Sequence, residues 1–293
     1  MDTFRNRLIH LHHCRGIGWR SIKNLLTYDP NLTKIYQSSF TDLRPHLPIS
    51  TTQLKNLMKD LHSSNIQSML NKYSDYNIHI VTIFDDEYPN MLKQIYDPPW
   101  VIYAKGDIRL LSDHKCLSVV GARSPSPYGL RSLERVILPL IQSGWTIISG
   151  LAKGIDSKAH ELTLLHNGKT IAVIAGGFQY IYPKENAKLA NMISKENLLL
   201  SEYPPFVRPE RWQFPMRNRI ISGLSFGTVI IEARESSGSL ITADQALEQG
   251  REVFAIPGSI FAEHSIGTNK LIQQGAKLVM SSNDIEAEII SQI

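Results

Sequence analysis

This chain of 293 residues has little cysteine, and it shows no long apolar run and no pattern of a secretory leader. Its two cysteines, Cys14 and Cys116, lie far apart, so neither a disulfide framework nor a CxxC metal site is predicted. The segment from residue 1 to 20 is rich in Arg and His and holds no apolar core, and no run is long enough to cross a membrane. We therefore expect a cytoplasmic protein with no membrane partner.

Several motifs of cofactor-dependent enzymes are missing as well. The chain has no G-x-G-x-x-G after the strand that ends at Gly121, no P-loop, and no G-x-S-x-G elbow around Ser149 or Ser201. His10, His12, His13 and Cys14 fall within one helical turn and do not project together from one face, which favours packing over a metal site. The sequence thus predicts no NAD, FAD or other cofactor, no ATP hydrolysis and no metal.

What the chain does contain is an ordinary globular composition with a mild excess of positive charge. Hydrophobic residues make up 42% of the sequence, and the formal net charge is +4. This length accommodates one sizeable α/β domain and a smaller one. The charge permits nucleic-acid binding without requiring it, because many other proteins are equally basic.

Short apolar runs alternate with helical segments through most of the chain. The pattern predicts strands at residues 79–84, 100–104, 117–121, 146–150, 170–177 and 228–231, and helices at 129–142, 157–166, 185–195 and 240–249. Such alternation indicates βαβ units, hence an α/β fold with a Rossmann-like, mainly parallel sheet and helices on both faces. Ligands of such sheets bind at the carboxyl ends of the strands.

The first 70 residues differ from the rest and read as short helices. We expect residues 1–70 to form a small helical domain, SAM-like or helix-hairpin-helix-like, and residues 77–293 to form the extended Rossmann-like domain. Gly16-Ile17-Gly18 has the pattern of a hairpin that presents backbone N–H groups to a DNA phosphate. The same pattern is a common tight turn between packed helices, and the turn is the favoured interpretation.

The placement of charge points to an anionic ligand. Arg217-Asn218-Arg219 precedes the strand at 228–231, and the Gly/Ser-rich turn at Ser236–Ser239 opens the next helix. Free backbone N–H groups at a helix N-terminus bind anions, and guanidinium groups match phosphate oxygens. The pattern therefore predicts a phosphate-bearing ligand.

Six motifs, spread over residues 77–280, resemble those of the DprA/Smf family in the same order. They are Val120–Arg123, Ser149–His160, Ala175–Gly177 with Tyr182–Asn186, Ser201–Pro204, Phe214–Ser222 and Ser236–Ala243. One departure is Ala122, where the family often has serine. The resemblance implies a Rossmann-like domain that binds single-stranded DNA and helps load the RecA recombinase during natural transformation.

The resemblance also implies the site and the assembly. The expected DNA- or phosphate-binding residues are Gly121, Arg123, Ser149, Gly150, Lys153, Gly154, Gly176, Gly177, Lys184, Arg217, Asn218, Arg219, Ser237, Gly238 and Ser239. A homodimer is expected through a patch that contains Leu271 and Ile272, although both residues can equally well cover the sheet. The winged-helix domain that the family often carries at its C-terminus is not expected here.

Two alternatives stay open. Arg217 or Arg219 can instead be a structural anchor paired with Glu202 or Glu232. The second alternative is catalytic: Gly227-Thr228 and Glu232 are similar to part of the Pro-Gly-Gly-x-Gly-Thr-x-x-Glu pattern of nucleotide phosphoribohydrolases, whose glutamate acts on the ribose. Here Gly176-Gly177 lies about fifty residues upstream and the contiguous motif is absent, so a non-catalytic binding protein is the preferred prediction.

Overall fold

The structure is a computed structural model that describes residues 3–63 and 66–290, without the side chain of Ile290. The chain divides into two compact units. The first comprises Met1–Tyr88 and Asp97–Ile102, and the second comprises Pro89–Tyr96 and Tyr103–Ile293. Among the described residues, no helix has both the length and the apolar character that a membrane span needs.

The first unit is helical. Its elements are α1 (Phe4–His13), α2 (Trp19–Tyr28), α3 (Phe40–Leu43), α4 (Thr51–Ser63), α5 (Ile66–Asp75) and β1 (Ile78–Thr82). The Gly16-Ile17-Gly18 turn joins α1 to α2, and Gly16 has φ of +87°. A Cβ at Gly16 would lie 2.6 Å from the carbonyl oxygen of Gln53 in α4, so close packing of this turn requires glycine.

The second unit is an α/β domain. Its strands are β2 (Val101–Gly106, whose first two residues belong to the first unit), β3 (Cys116–Val120), β4 (Thr146–Ser149), β5 (Lys169–Ile174), β6 (Leu198–Ser201), β7 (Gly227–Ile230), β8 (Glu252–Ala255) and β9 (Lys277–Leu278). Its helices are α6 (Asn90–Lys93), α7 (Pro127–Gln142), α8 (Ile155–Leu165), α9 (Ala187–Glu196), α10 (Gln213–Gly223), α11 (Gly238–Glu248), α12 (Ile266–Gln273) and α13 (Ser282–Ile290).

The sheet of this unit runs in the order β2-β6-β5-β4-β3-β7-β8-β9. The β2–β6 pair is antiparallel, and the other neighbouring strands are parallel. The chain moves outward in one direction from β3 through β4 and β5, and in the other from β7 through β8. The topological switch point therefore lies between β3 and β7, which is where ligands bind in open α/β sheets.

Alternate residues of β3 face opposite layers of helices. Leu117 and Val119 pack into a core with Leu133, Ile137 and Leu140 of α7. The hydroxyl of Ser118, between them, donates a 2.7 Å hydrogen bond to the carbonyl oxygen of Ile221 in α10. Helices thus cover both faces of the sheet, and the expected α/β, Rossmann-like fold class is confirmed.

Candidate nucleic-acid interface

A cleft of about 950 Å³ opens at the carboxyl ends of β3 and β7, at the switch point of the sheet. Four arginines and one aspartate lie among the described residues that line it. The lining residues are Val120, Gly121, Ala122, Arg123, Ser124, Ala152, Asp156, Tyr182, Pro209, Arg211, Phe214, Pro215, Arg217, Asn218, Arg234, Ser236, Ser237, Gly238, Ser239, Ile241, Thr242 and His264.

The wall after β3 carries the exposed side chain of Arg123. This turn packs against the start of α8, where the Ile155 N–H donates to the Ala122 carbonyl at 3.1 Å. Gly154, with φ of +79°, lies so close to the Ala122 and Arg123 backbone that a Cβ there would clash. Gly154 therefore positions Arg123 by allowing the two turns to approach each other.

The floor of the cleft contains Arg217, whose side chain is buried. Its guanidinium donates hydrogen bonds to the carbonyl oxygens of Gly150 and Val173, and its Nε donates to Asn218 Oδ1 at 3.1 Å. A Cβ at Gly150 would clash with this guanidinium, so the glycine makes room for it. Burial, reinforced by the charge of Arg123, lowers the pKa of Arg217 to about 10. The group still carries its positive charge at neutral pH.

Asp156 lies beside this guanidinium and accepts the Gly150 N–H at 3.1 Å. Burial raises the pKa of Asp156, while the positive charge of Arg217 acts in the opposite direction. Arg217 and Asp156 thus lie side by side at the floor, and the other three arginines, Arg123, Arg211 and Arg234, make the rim cationic. Arg234 lies 3.6 Å from Glu263, and both side chains are well exposed to solvent.

The other wall is the N-terminus of α11. Ser237 is its N-cap and accepts a 3.4 Å hydrogen bond from the Ser239 N–H. Gly238 is exposed, and a Cβ added to it would meet nothing within 4 Å. The positive end of the helix dipole therefore lies at the cleft that Arg123 also lines, and a phosphate is the chemical group that this arrangement can hold.

The structure divides the sequence-predicted site residues into three groups. The residues that line the cleft are Gly121, Arg123, Arg217, Asn218, Ser237, Gly238 and Ser239. Directly behind the lining, where they shape it, lie Ser149, Gly150 and Gly154: the Ser149 hydroxyl donates to the Val119 carbonyl at 2.6 Å. The residues outside the lining are Lys153, Gly176, Gly177, Lys184 and Arg219.

Arg219 has a structural environment that the phosphate prediction did not anticipate. Its side chain is 3% exposed, and its Nη2 donates to Glu202 Oε1 at 2.6 Å. Residues two apart on α10 point in different directions, so Arg217 faces the cleft and Arg219 faces the interior. The prediction that Arg219 belongs to the phosphate site is therefore corrected. Of the two glutamates that the sequence offered as partners, Glu202 and Glu232, it is Glu202 that accepts the hydrogen bond from Arg219.

Gly176 and Gly177 are buried beneath the 204–209 segment and do not reach the cleft. A Cβ at Gly176 would lie 2.9 Å from Pro209, and one at Gly177 would clash with the Pro204 and Pro205 backbone. Both glycines therefore serve close packing of that segment, and we withdraw them as phosphate contacts. Lys153 forms an exposed 2.5 Å ion pair with Glu185, and Lys184 is exposed outside the lining.

The helix α12 changes the interpretation of the expected dimer patch. Leu271 is 5% exposed within the chain itself, so it covers the sheet and is not available at the surface. Ile272 is half-buried. Leu271 is accordingly removed from the candidate interface, because a side chain that is already buried cannot supply contact area to a partner.

Two cationic residues of the cleft were not identified from the sequence. Arg234 follows β7 closely, and its position just past a predicted strand was a usable signal. Arg211 comes from an irregular segment between β6 and α10, where no strand or helix pattern indicated its direction. Tyr182 and Phe214, which begin two of the family-like sequence motifs, both line the cleft, with ring centroids 5.5 Å apart.

Comparison with known proteins identifies the family of this chain. The family model described as DNA recombination-mediator protein A matches residues 79–290. The DNA processing protein DprA of Bacillus subtilis is 48% identical over 241 residues, which are 82% of this chain and 81% of that protein. The protein of the same name from Streptococcus pneumoniae is 50% identical over 207 residues, which are 71% of this chain and 73% of that protein.

Solved structures agree with this match. The crystal structure of S. pneumoniae DprA superposes with a TM-score of 0.84 at 40% identity and covers 97% of each chain. A structure of DNA processing protein A from Helicobacter pylori, solved to describe its single-stranded DNA binding mode, has a TM-score of 0.66 at 28% identity. The alignment covers 73% of this chain and 96% of the H. pylori chain.

Proposed function

Since the chain belongs to the DNA recombination-mediator protein A family, whose members include the DprA and Smf proteins, we propose that it binds single-stranded DNA in the cleft between β3 and β7. The observation that carries the proposal is the convergence of Arg123, Arg211 and Arg234 with the N-terminus of α11 around one cleft. The H. pylori relative, described as binding single-stranded DNA, supports the choice of ligand.

The cleft recognises the phosphate backbone in this proposal. The side chains of Arg123, Arg211 and Arg234 and the free N–H groups around Gly238 contact phosphates, and Arg217 holds the floor in shape. Phosphate contacts position a strand without reading its bases, so sequence preference is slight. Tyr182 and Phe214 offer ring faces and edges to unstacked bases, which favours single strands over duplexes.

The bound strand is then handed to a recombinase. We propose that the protein protects incoming single-stranded DNA in the cytoplasm and helps to load RecA during homologous recombination and natural transformation, as a homodimer. The resemblance to the DprA proteins supports this wider role. Light scattering on the intact chain tests the dimer. Ile272→Arg is the variant to compare, because Leu271 lies in the core.

The proposal is binding without catalysis, because the glutamate that a phosphoribohydrolase would use is occupied elsewhere. Glu232 is 2% exposed and accepts the Ser126 N–H at 2.9 Å and the Ser126 hydroxyl at 2.5 Å. Ser126 is the N-cap of α7, so this carboxylate stabilises the start of a helix. Glu232 is not among the residues that line the cleft within the described chain.

Fluorescence anisotropy with labelled oligo-dT and with a duplex of equal length tests the proposal. We expect tighter binding of the single strand, and affinity that falls steeply with salt because neutralised phosphates release their counterions. A companion assay follows release of base or ribose phosphate from nucleoside monophosphates. Salt-insensitive binding, preference for the duplex, or turnover that Glu232→Gln abolishes would each refute the proposal.

A further inference from the structure

An exposed aromatic–cationic pair lies on the surface outside the cleft. The guanidinium carbon of Arg208 is 5.0 Å from the centroid of the Tyr180 ring. Tyr180 is 36% exposed, and Arg208 is also exposed. Within residues 3–63 and 66–290, Arg208 has no acidic partner at ion-pair distance. Its charge is therefore available to an anion while the guanidinium lies over the ring at cation–π distance.

Two backbone hydrogen bonds hold the segments that carry the pair. The Gly177 N–H donates to the Val207 carbonyl at 2.8 Å, and the Gln179 N–H donates to the Pro205 carbonyl at 3.0 Å. The loop after β5 and the 204–209 segment thus form one layer, which the absence of a side chain at Gly177 permits. The Tyr180–Arg208 pair is accordingly presented by fixed backbone on both sides.

Both chain segments that carry the Tyr180–Arg208 pair also contribute residues to the cleft lining. Pro209, which follows Arg208, lines the cleft, and so does Tyr182, two residues beyond Tyr180. The cationic rim of the cleft includes Arg211, three residues after Arg208. A strand of nucleic acid that leaves the cleft on this side meets a further positive charge and a further ring.

We infer that the Tyr180–Arg208 pair is an additional subsite that takes a base of single-stranded DNA whose neighbouring nucleotides occupy the cleft. The base stacks on the exposed ring and guanidinium planes, and the guanidinium N–H groups reach the adjacent phosphate. Because every base has a face that can stack on an aromatic ring, the subsite increases affinity for longer strands without adding sequence preference. The inference rests on the proposed function of the cleft, which it extends by one or more nucleotides.

Anisotropy titrations with two oligo-dT lengths, about 5 and about 20 nucleotides, test the subsite. Tyr180→Ala should weaken binding of the longer oligonucleotide about tenfold and leave the shorter one nearly unchanged, whereas Tyr180→Phe should behave like the parent. Arg208→Ala should weaken the longer complex and also flatten its salt dependence, because a phosphate contact is lost. Tyr96→Ala and Arg131→Ala, both exposed and outside the cleft, are the matched controls.

The outcomes separate this inference from the proposal on which it rests. If the parent binds and Arg123→Ala weakens it, but Tyr180→Ala and Arg208→Ala bind both lengths like the parent, the subsite is refuted and the cleft is retained. If Tyr180→Ala weakens both lengths equally, the ring belongs to the cleft and the length argument is wrong. If the parent binds neither oligonucleotide, the proposed function has failed as well. Circular dichroism confirms the fold of each variant.

Discussion

The guanidinium of Arg219 donates a 2.6 Å hydrogen bond to the carboxylate of Glu202, and only 4% and 11% of these two side chains are exposed. The pair joins α10 to the chain just after β6. It therefore supports the helix that carries Arg217 and Asn218 to the cleft, and neither member of the pair is among the described residues that line the cleft.

Removing one partner of this buried pair should destabilise the fold. Glu202→Ala removes the carboxylate that the buried guanidinium of Arg219 contacts, so we expect the free energy of unfolding to fall by ~3–5 kcal/mol in urea denaturation. Glu202→Gln retains a carbonyl acceptor and should lose less. A folded, fully stable Glu202→Ala protein would show that the ion pair is dispensable.

Arg123 and Lys184 form a matched test of which cations contact DNA. Arg123→Ala removes an exposed cleft cation, so affinity for oligo-dT should fall roughly tenfold and the log–log salt slope should flatten by about 0.7, the value for one single-strand phosphate. Lys184→Ala should have little effect, because Lys184 lies outside the lining. Equal losses in the two variants would move the DNA path toward the loop after β5.

Two glycines near the cleft should respond oppositely to added methyl groups. Gly177→Ala forces the new Cβ into the Pro204–Pro205 backbone, so the 204–209 segment must shift, and both stability and oligo-dT affinity should decrease. Gly238→Ala places its methyl group in open space in the first turn of α11, so stability should be unchanged or higher. Thermal unfolding and anisotropy of both variants measure the contrast.

His160 should contribute to acid destabilisation. It is fully buried, with Nδ1 2.7 Å from the Thr170 hydroxyl, and burial together with the charge of Arg217 lowers its pKa from 6.5 to about 3. Between these values the unfolded chain binds a proton that the folded chain does not. Stability is therefore full above pH 6.5 and falls as the pH is lowered.

The expected loss from this residue is about 1.4 kcal/mol per pH unit below pH 6.5. His160→Gln has no such titration, so its unfolding free energy should be flatter than that of the parent between pH 6.5 and 5. His12 and His13 also have lowered pKa values and contribute to the pH dependence of both proteins. The difference between parent and variant therefore reports on His160 alone. Parallel profiles for the two proteins would contradict the buried, neutral state of this ring.

Glu232→Ala should act on stability and leave DNA binding intact. The Ser126 N–H and hydroxyl lose their acceptor, which should cost ~1–3 kcal/mol of unfolding free energy. Affinity for oligo-dT per folded molecule should equal that of the parent, since Glu232 does not line the cleft. A large loss of affinity in a stable variant would assign Glu232 to the ligand.

The sequence predicted strands correctly where an apolar run ends in glycine, as it does at Gly121 and Gly150. The run at residues 117–121 corresponds to β3, and that at 146–150 corresponds to β4. The predicted strand at 170–177 was too long, because the chain leaves β5 after Ile174. β6, β8 and β9 were missed, and β9 has only two residues, too few for a periodic pattern to stand out.

The amino-acid sequence by itself determined the α/β class and placed Gly121, Arg123 and Ser237–Ser239 at strand or helix ends, because hydrophobic periodicity and turn chemistry are local properties. Only the tertiary structure decided which cations line the cleft. Arg217 and Arg219 are two residues apart, yet one contacts the Gly150 and Val173 carbonyls and the other contacts Glu202. These partners come from distant strands, and burial depends on how distant segments pack, which local pattern does not encode.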